Sequence, residues 1–187
     1  MLKIKNNLNY YEKIRMFHSI YIKNNFFFKK TTYSMNGEDI FINNYFKNKI
    51  GFYVDVGAYH PLELNNTCLL HKRGWSGINI DINTLSIDYF NFLRPNDVNV
   101  NIAASNNKTI KTIYYQKKKS PLNTLKITQA KKMFIGNIKK RKVKSETLSK
   151  IIDNTKFKGK KINFLNIDTE GSDLEILKKL NFKKYKP

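Results

Sequence analysis

A single cysteine, Cys68, is all the thiol chemistry this chain has. That excludes an internal disulfide and a multi-cysteine metal site. Its neighbours Leu69 and Leu70 mark it as a small core filler rather than a nucleophile. Acids are scarce, 14 against 35 basic residues, and only four of the basic ones are arginine: Arg15, Arg73, Arg94 and Arg141. Long apolar runs are missing, so no segment is expected to span a bilayer. The first thirty residues are broken by Lys3, Lys5, Lys13, Arg15 and Lys23 and lack the apolar stretch of a secretory signal. A soluble, cytoplasmic protein is the expectation.

What remains is enough for a core. In 187 residues, 41% hydrophobic and 13% aromatic, there is material for one well-buried domain and too little for two. The net charge of +21 invites a nucleic-acid reading. Lysine, however, recurs along the whole chain instead of gathering into one patch. That spread looks like compositional drift, so a basic nucleic-acid-binding protein stands as an alternative only.

Residues 1–32 read as a basic, aromatic extension. Tyr10, Ile14, Phe17 and Tyr21 recur at helical spacing, predicting a helix that lies on the domain. From residue 33 onward, strands and helices alternate. Glu38 and Asp39 open a helix, with acids at its positive end. Phe52–Val56 is the first central strand, Leu64–Lys72 a helix stopped by Gly74, and Gly77–Ile82 the second strand. A helix over Ser86–Leu93 closes at Pro95, and Val98–Ala104 is the third strand. This order demands parallel pairing with right-handed crossovers. Thr109–Tyr115 alternates like an exposed strand, Lys117–Asn123 reads as a loop, and Lys142–Lys144 as a short strand. A helix over Thr147–Asp153 precedes a fourth buried strand, Ile162–Ile167. Ser172 and Glu175 have capping-box spacing for a last helix that should turn Leu174, Leu177 and Leu180 inward.

The informative stretch is Val54-Asp55-Val56-Gly57-Ala58-Tyr59-His60-Pro61. An apolar strand ends in an acid, one more apolar residue and a glycine, as where backbone must approach a small polar ligand. A dinucleotide fingerprint would need glycines at the positions of Tyr59 and Leu62. Tyr59 would block a pyrophosphate and the Asp55 carboxylate would repel it. The pocket therefore suits a nucleoside with a cationic end, a description that S-adenosylmethionine meets. Asp55, Asp81 and Asp168 each end a central strand, where ligands bind in open parallel sheets. Asp81 follows Gly57 at roughly the spacing, about twenty residues, at which a second-strand acid reaches ribose hydroxyls.

Four blocks in order carry a family resemblance. They are Tyr33-Ser34-Met35-Asn36-Gly37-Glu38-Asp39, Gly51 to Ala58, Arg73 to Asp81, and Asn166 to Ser172. Together they resemble the signature of FkbM-type methyltransferases, enzymes that use S-adenosylmethionine and mostly methylate hydroxyls of sugars and natural products. The resemblance implies an α/β, Rossmann-like class I methyltransferase fold over residues 33–187. It implies that Asp55, Gly57 and Ala58 line the methionine end of the cofactor, with Gly37 and Glu38 of the first block also at the cofactor site. Asp81 would hold the ribose. Asn101 and Ala103 would sit near the adenine, and Asp168, Glu170 and Gly171 where cofactor and acceptor meet. Asp81 stands where the family more often has glutamate, and Met35 where it has glutamine.

Methyl transfer asks mainly for alignment and exclusion of water, worth on the order of 7–11 kcal/mol. A general base adds about a hundredfold or more. Asp168, Glu170 and His60 are the candidates. With an extended backbone Asp168 and Glu170 would face the same way and one pKa would rise. Glu170 could instead serve only the following helix, and His60 only the turn before Pro61. No metal is expected. The partner would be a small, sugar-like acceptor, anionic if the lysines of 117–132 lie over it. By the family pattern the chain stops before the fifth central strand. The expectation is thus a truncated domain with an open sheet edge prone to self-association, and an inactive remnant is the second alternative.

Overall fold

The computed structural model describes residues 8–117 and 123–187. Most of the loop expected over Lys117–Asn123, and with it two lysines expected to lie over the acceptor, falls outside them.

The centre is a parallel sheet of four strands. It comprises β1 (Phe52–Val56), β2 (Ser76–Asp81), β3 (Val98–Asn101) and β8 (Phe164–Ile167), in the order β3-β2-β1-β8. All three pairings are parallel, as the alternation of strands and helices demanded. Helices α3 (Cys68–Lys72), α4 (Thr84–Leu93), α6 (Leu148–Asp153) and α7 (Asp173–Lys178) complete the α/β layers.

Alternation along the strands gives the sheet two unlike faces. Phe52, Val54, Val56, Ile78, Ile80, Val98 and Val100 pack with Leu148, Ile151, Ile152 and Ile176 into the main apolar core, so α6 and α7 cover that face. The other face presents Tyr53, Asp55, Asn79 and Asn99, each at most 1% exposed, toward Thr67 and Arg94 of the α3–α4 layer.

The third strand departs from expectation. Val98–Ala104 is not one strand: the chain bends at Ile102, whose amide donates to the Asp81 carbonyl at 3.2 Å. Beyond the bend, β4 (Ala103–Ser105) leaves β2 and pairs in parallel with β7 (Lys139–Thr147). A second sheet follows, β4-β7-β5-β6, with β5 (Thr109–Tyr115) and the short β6 (Asn123–Thr124) antiparallel to their neighbours. The short strand expected at Lys142–Lys144 is the middle of a nine-residue strand. Its lysines hid it, because the strand is largely solvated and has no apolar alternation to read.

Two helix faces also differ from expectation. The N-terminal helix α1 (Tyr10–Phe17) is capped by Asn9, with Glu12 returning the bond in a capping box. Its expected stripe of Tyr10, Ile14, Phe17 and Tyr21 is exposed, while Met16 and Ile20 are buried. Ile20 and Phe27 pack with Tyr33, Leu62 and Cys68, and the rings of Phe17, Tyr21 and Phe28 stack on one another outside. At α7, Ile176 and Leu180 turn inward and Leu174 and Leu177 outward. The expected capping box at Ser172 does not form. Asp173, the first residue of α7, instead accepts from the amide and hydroxyl of Thr169 at 2.6 and 2.8 Å, which ties the preceding turn to the helix start.

Candidate active site

Strand register assembles the site. Val56 stands opposite Ile80 on one side and Ile167 on the other. The next residues, Gly57, Asp81 and Asp168, therefore emerge level at the carboxyl edge of the sheet. Gly57 is required by geometry: its φ is +80°, and a Cβ there would lie 1.8 Å from the Asp168 carbonyl oxygen. The neighbouring strand thus demands the glycine whatever ligand comes near. Gly57, Asp81, Asp168, Thr169 and Glu170 line one cleft, whose apolar wall includes Ile80, Ile82 and Ile102.

Asp81 is held from two sides. Its Oδ2 accepts the Tyr59 amide at 2.9 Å and its Oδ1 the Asn83 amide at 2.6 Å. Each oxygen keeps a further lone pair for a ligand hydroxyl. Burial pushes its pKa up to about 6, against the pull of the two amides. The Tyr59 backbone that makes this bond is left-handed, φ +52°.

The acids after β8 are arranged differently from expectation. The backbone is not extended there: Glu170 has φ +55° and Gly171 φ +104°. Both Asp168 and Glu170 still face the cleft. Partial burial raises the pKa of each. Asp173 and Asp55 push Asp168 further, and Asp168 and Asp173 push Glu170. Left-handed backbone in residues other than glycine costs of order 1–3 kcal/mol and clusters at functional sites. Of the three such residues among those described, Glu170 lines this cleft and Tyr59, whose amide bonds Asp81, lines the cavity that holds His60.

Asp55 does not line the cleft; it sits below its floor, 1% exposed. Its Oδ2 accepts from Thr67 at 2.8 Å and Asn65 at 3.2 Å, and its Oδ1 from Asn166 at 2.9 Å. Beneath Thr67 lies Arg94, 2% exposed. Its Nη1 donates to Thr67 Oγ1 (2.9 Å) and the Tyr53 hydroxyl (3.1 Å), and its Nη2 to Asn65 (2.9 Å) and the Pro61 carbonyl (2.7 Å). Tyr53 in turn donates to Asp97 at 2.5 Å. Two hydroxyls thus link one buried cation to two buried carboxylates. Asp97 also accepts the Gly77 amide and the Asn79 side chain. Sequence reasoning gave no role to Arg94, Asp97, Asn65, Thr67 or Asn166. The available signals were an arginine in a lysine-biased chain and asparagines inside apolar strands.

The remaining candidates are spread out. Ala58 is buried, its amide on the Ile80 carbonyl, and Ala103 lines the cleft. Asn101 donates to the Asp81 carbonyl at 3.0 Å and borders a neighbouring cavity with Ile82 and Arg141. His60 lies in a different cavity, against the rings of Phe27 and Tyr89. Its Nδ1 accepts the Leu62 amide at 3.1 Å, and burial lowers its pKa to about 3. Gly37 and Glu38 start α2 (Glu38–Tyr45), and neither borders the cleft. There the Glu38 carboxylate accepts the Asn36 amide at 2.8 Å, a bond that holds its pKa down at about 2. Among the described residues no helix is long and apolar enough to cross a membrane.

A family model described as the methyltransferase FkbM domain matches residues 55–187. The chain belongs to the FkbM methyltransferase family. The match begins at Asp55, runs through Gly57, Asp81, Asp168 and Glu170, and includes Arg94. In this FkbM domain the acids at the sheet edge therefore belong to the part that defines the family. No curated protein and no solved structure matches the chain.

Proposed function

We propose that this FkbM domain has the Rossmann-like class I fold, binds S-adenosylmethionine and methylates a hydroxyl of a sugar or related small metabolite. The observation that carries the reading is Asp81: a carboxylate level with Gly57, restrained by two amides, beside an apolar wall. That acceptor suits a ribose diol with a base lying against Ile82 and Ile102. Asp168, with Asp55 behind it, offers negative potential to the cationic end of the ligand.

Size sets a condition. The cleft holds about 50 Å³, whereas small-molecule sites span roughly 300–1,000 Å³. Asn123 and Leu125 are among its lining residues, and the cleft must widen for a nucleoside ligand to enter.

The cofactor supplies an activated methyl group on a sulfonium. The chain's own residues align the acceptor, exclude water and take its proton. Asp168 and Glu170 border the cleft with raised pKa values, which suits a base. His60, turned into another cavity with Nδ1 occupied, is the weaker candidate.

Calorimetric titration with S-adenosylhomocysteine tests the reading. Saturable heat in the wild type and a drop in affinity of about tenfold or more in Asp81→Ala are expected. No heat in a folded wild type would favour an inactive remnant. Binding of duplex DNA that weakens steeply with salt, without any response to S-adenosylhomocysteine, would favour the nucleic-acid alternative.

A further inference from the structure

The largest cavity described is not the sheet-edge cleft. It holds about 500 Å³ and lies where α1, the start of α4 and the second sheet meet. Asn83, two residues past Asp81, borders it, and Asn123 borders both this cavity and the cleft. Whatever fills it sits beside the cofactor position, not in it.

The charged lining is telling. Arginine is four of the 35 basic residues, and two of the four, Arg15 and Arg141, line this cavity, where none of the described lysines does. The other two have structural tasks. Arg73 closes the end of α2 on the carbonyls of Asn43, Phe46 and Lys47, and Arg94 sits in the buried network. In a chain that otherwise uses lysine for positive charge, arginine appears where a planar fork of donors is needed. A guanidinium matches phosphate in just that way. Arg141 is anchored by one nitrogen, Nη2, on the Ile82 carbonyl at 2.6 Å. Asp88 also borders the cavity, so two guanidinium groups face one carboxylate and the balance is positive. Tyr89 and Tyr115 add ring faces on which a flat or sugar ring can lie.

We propose that this cavity anchors the phosphate-bearing part of the acceptor, as in a nucleoside diphosphate sugar, while its reacting end passes Asn123 into the cleft. Calling the ligand an acceptor rests on the methyltransferase reading; the anion site itself does not. Remote binding of this kind supplies energy for alignment at the reacting atom. The N-terminal segment is then a wall of the substrate site.

The test is calorimetry on protein saturated with S-adenosylhomocysteine, using uridine diphosphate glucose as probe and glucuronate as a phosphate-free anion. Saturable binding of the diphosphate is expected, weakened about tenfold or more in Arg15→Gln and in Arg141→Gln. Arg15→Gln, on an exposed helix, should leave the melting temperature and the S-adenosylhomocysteine affinity unchanged. Equal diphosphate affinity in wild type and both variants overturns the proposal. So does absence of diphosphate binding, or glucuronate binding as tightly as the diphosphate. The two readings fail separately. Arginine-dependent diphosphate binding without S-adenosylhomocysteine binding leaves the anion site and removes the methyltransferase reading. The converse removes only the anion site.

Discussion

The two faces of the parallel sheet are built from opposite materials. Toward α6 and α7 the strands offer valine, isoleucine and phenylalanine, and the contact is an apolar core. Toward α3 and α4 they offer Tyr53, Asp55, Asn79 and Asn99, knitted to Arg94 and Asp97. An apolar face holds strands together without specifying where any loop goes. A hydrogen-bonded face specifies loop positions but loses stability with each member left unpaired, as Asn79 Oδ1 is here. The loops beside the cleft hang from the second kind, while Val56, Ile80 and Ile102 of the first form its apolar wall. Asn65 and Thr67, in the loop that follows Tyr59, are tied to Asp55 and Arg94, and Asn166 ties β8 to the same carboxylate. Both faces therefore carry stability, but only the polar one also ties down the loops beside the cleft, and substitutions should separate the two roles.

Arg94→Met is expected to have the largest effect. It leaves Asp55 and Asp97 buried without their shared cation. Removing one partner of such a buried charge set costs about 3–5 kcal/mol. Urea denaturation should show that loss. Affinity for S-adenosylhomocysteine should fall as well, because the Pro61 and Asn65 anchors go with the guanidinium. A variant that unfolds outright is answered by Arg94→Lys, which keeps the charge but not the fork; it should fold and still bind more weakly. Wild-type affinity in a folded Arg94→Lys would show that the network does not position the site.

The contrasting substitution is Leu148→Ala on the apolar face. Leu148 is fully buried in the core. Cavity formation there should cost about 2–5 kcal/mol. Below its melting temperature the variant should bind S-adenosylhomocysteine as the wild type does. Similar affinity losses in Leu148→Ala and Arg94→Lys would erase the proposed division between the faces.

That division also explains what the sequence made legible. Each of the four central strands shows as a short apolar run ending in a turn signal, and each was found with its end within a residue or so, except the third. That strand looked continuous because Ile102, Ala103 and Ala104 stay apolar and buried through the bend, Ile102 and Ala104 in the same core as Val98 and Val100. The apolar faces of α1 and α7 were misread because large side chains such as Tyr10, Phe17 and Leu174 carry the periodic signal while the buried contacts fall to Met16, Ile20 and Ile176. Of the candidate site, Gly57, Asp81 and Asp168 stand at strand ends where the sequence marks them, although packing against Asp168 alone accounts for the glycine and the third acid, Asp55, lies outside the cleft lining. The polar face was not. A buried arginine bonded to a threonine, a tyrosine and a carbonyl has no sequence period; only the fold brings Pro61, Asn65, Thr67 and Arg94 together.

The smallest and most specific effect concerns Asp81, the last residue of β2 and a wall of the cleft. Its pKa rises from 3.8 to about 6, chiefly by burial. Folding therefore favours the protonated form between those values. Taken alone, Asp81 contributes stability that is present at low pH and lost as pH rises through about 6. Ligand binding runs the other way, because ribose hydroxyls donate to the carboxylate, and a protonated carboxyl accepts fewer such bonds. Affinity for S-adenosylhomocysteine should then be flat above neutrality and weaken as pH falls through about 6, approaching tenfold per pH unit on the acid side. Asp81→Asn, similar in shape and uncharged, should bind more weakly at pH 8 and lose that dependence. If the variant keeps the wild-type profile, the titrating group is another acid at the sheet edge, and Asp168 is the next to substitute.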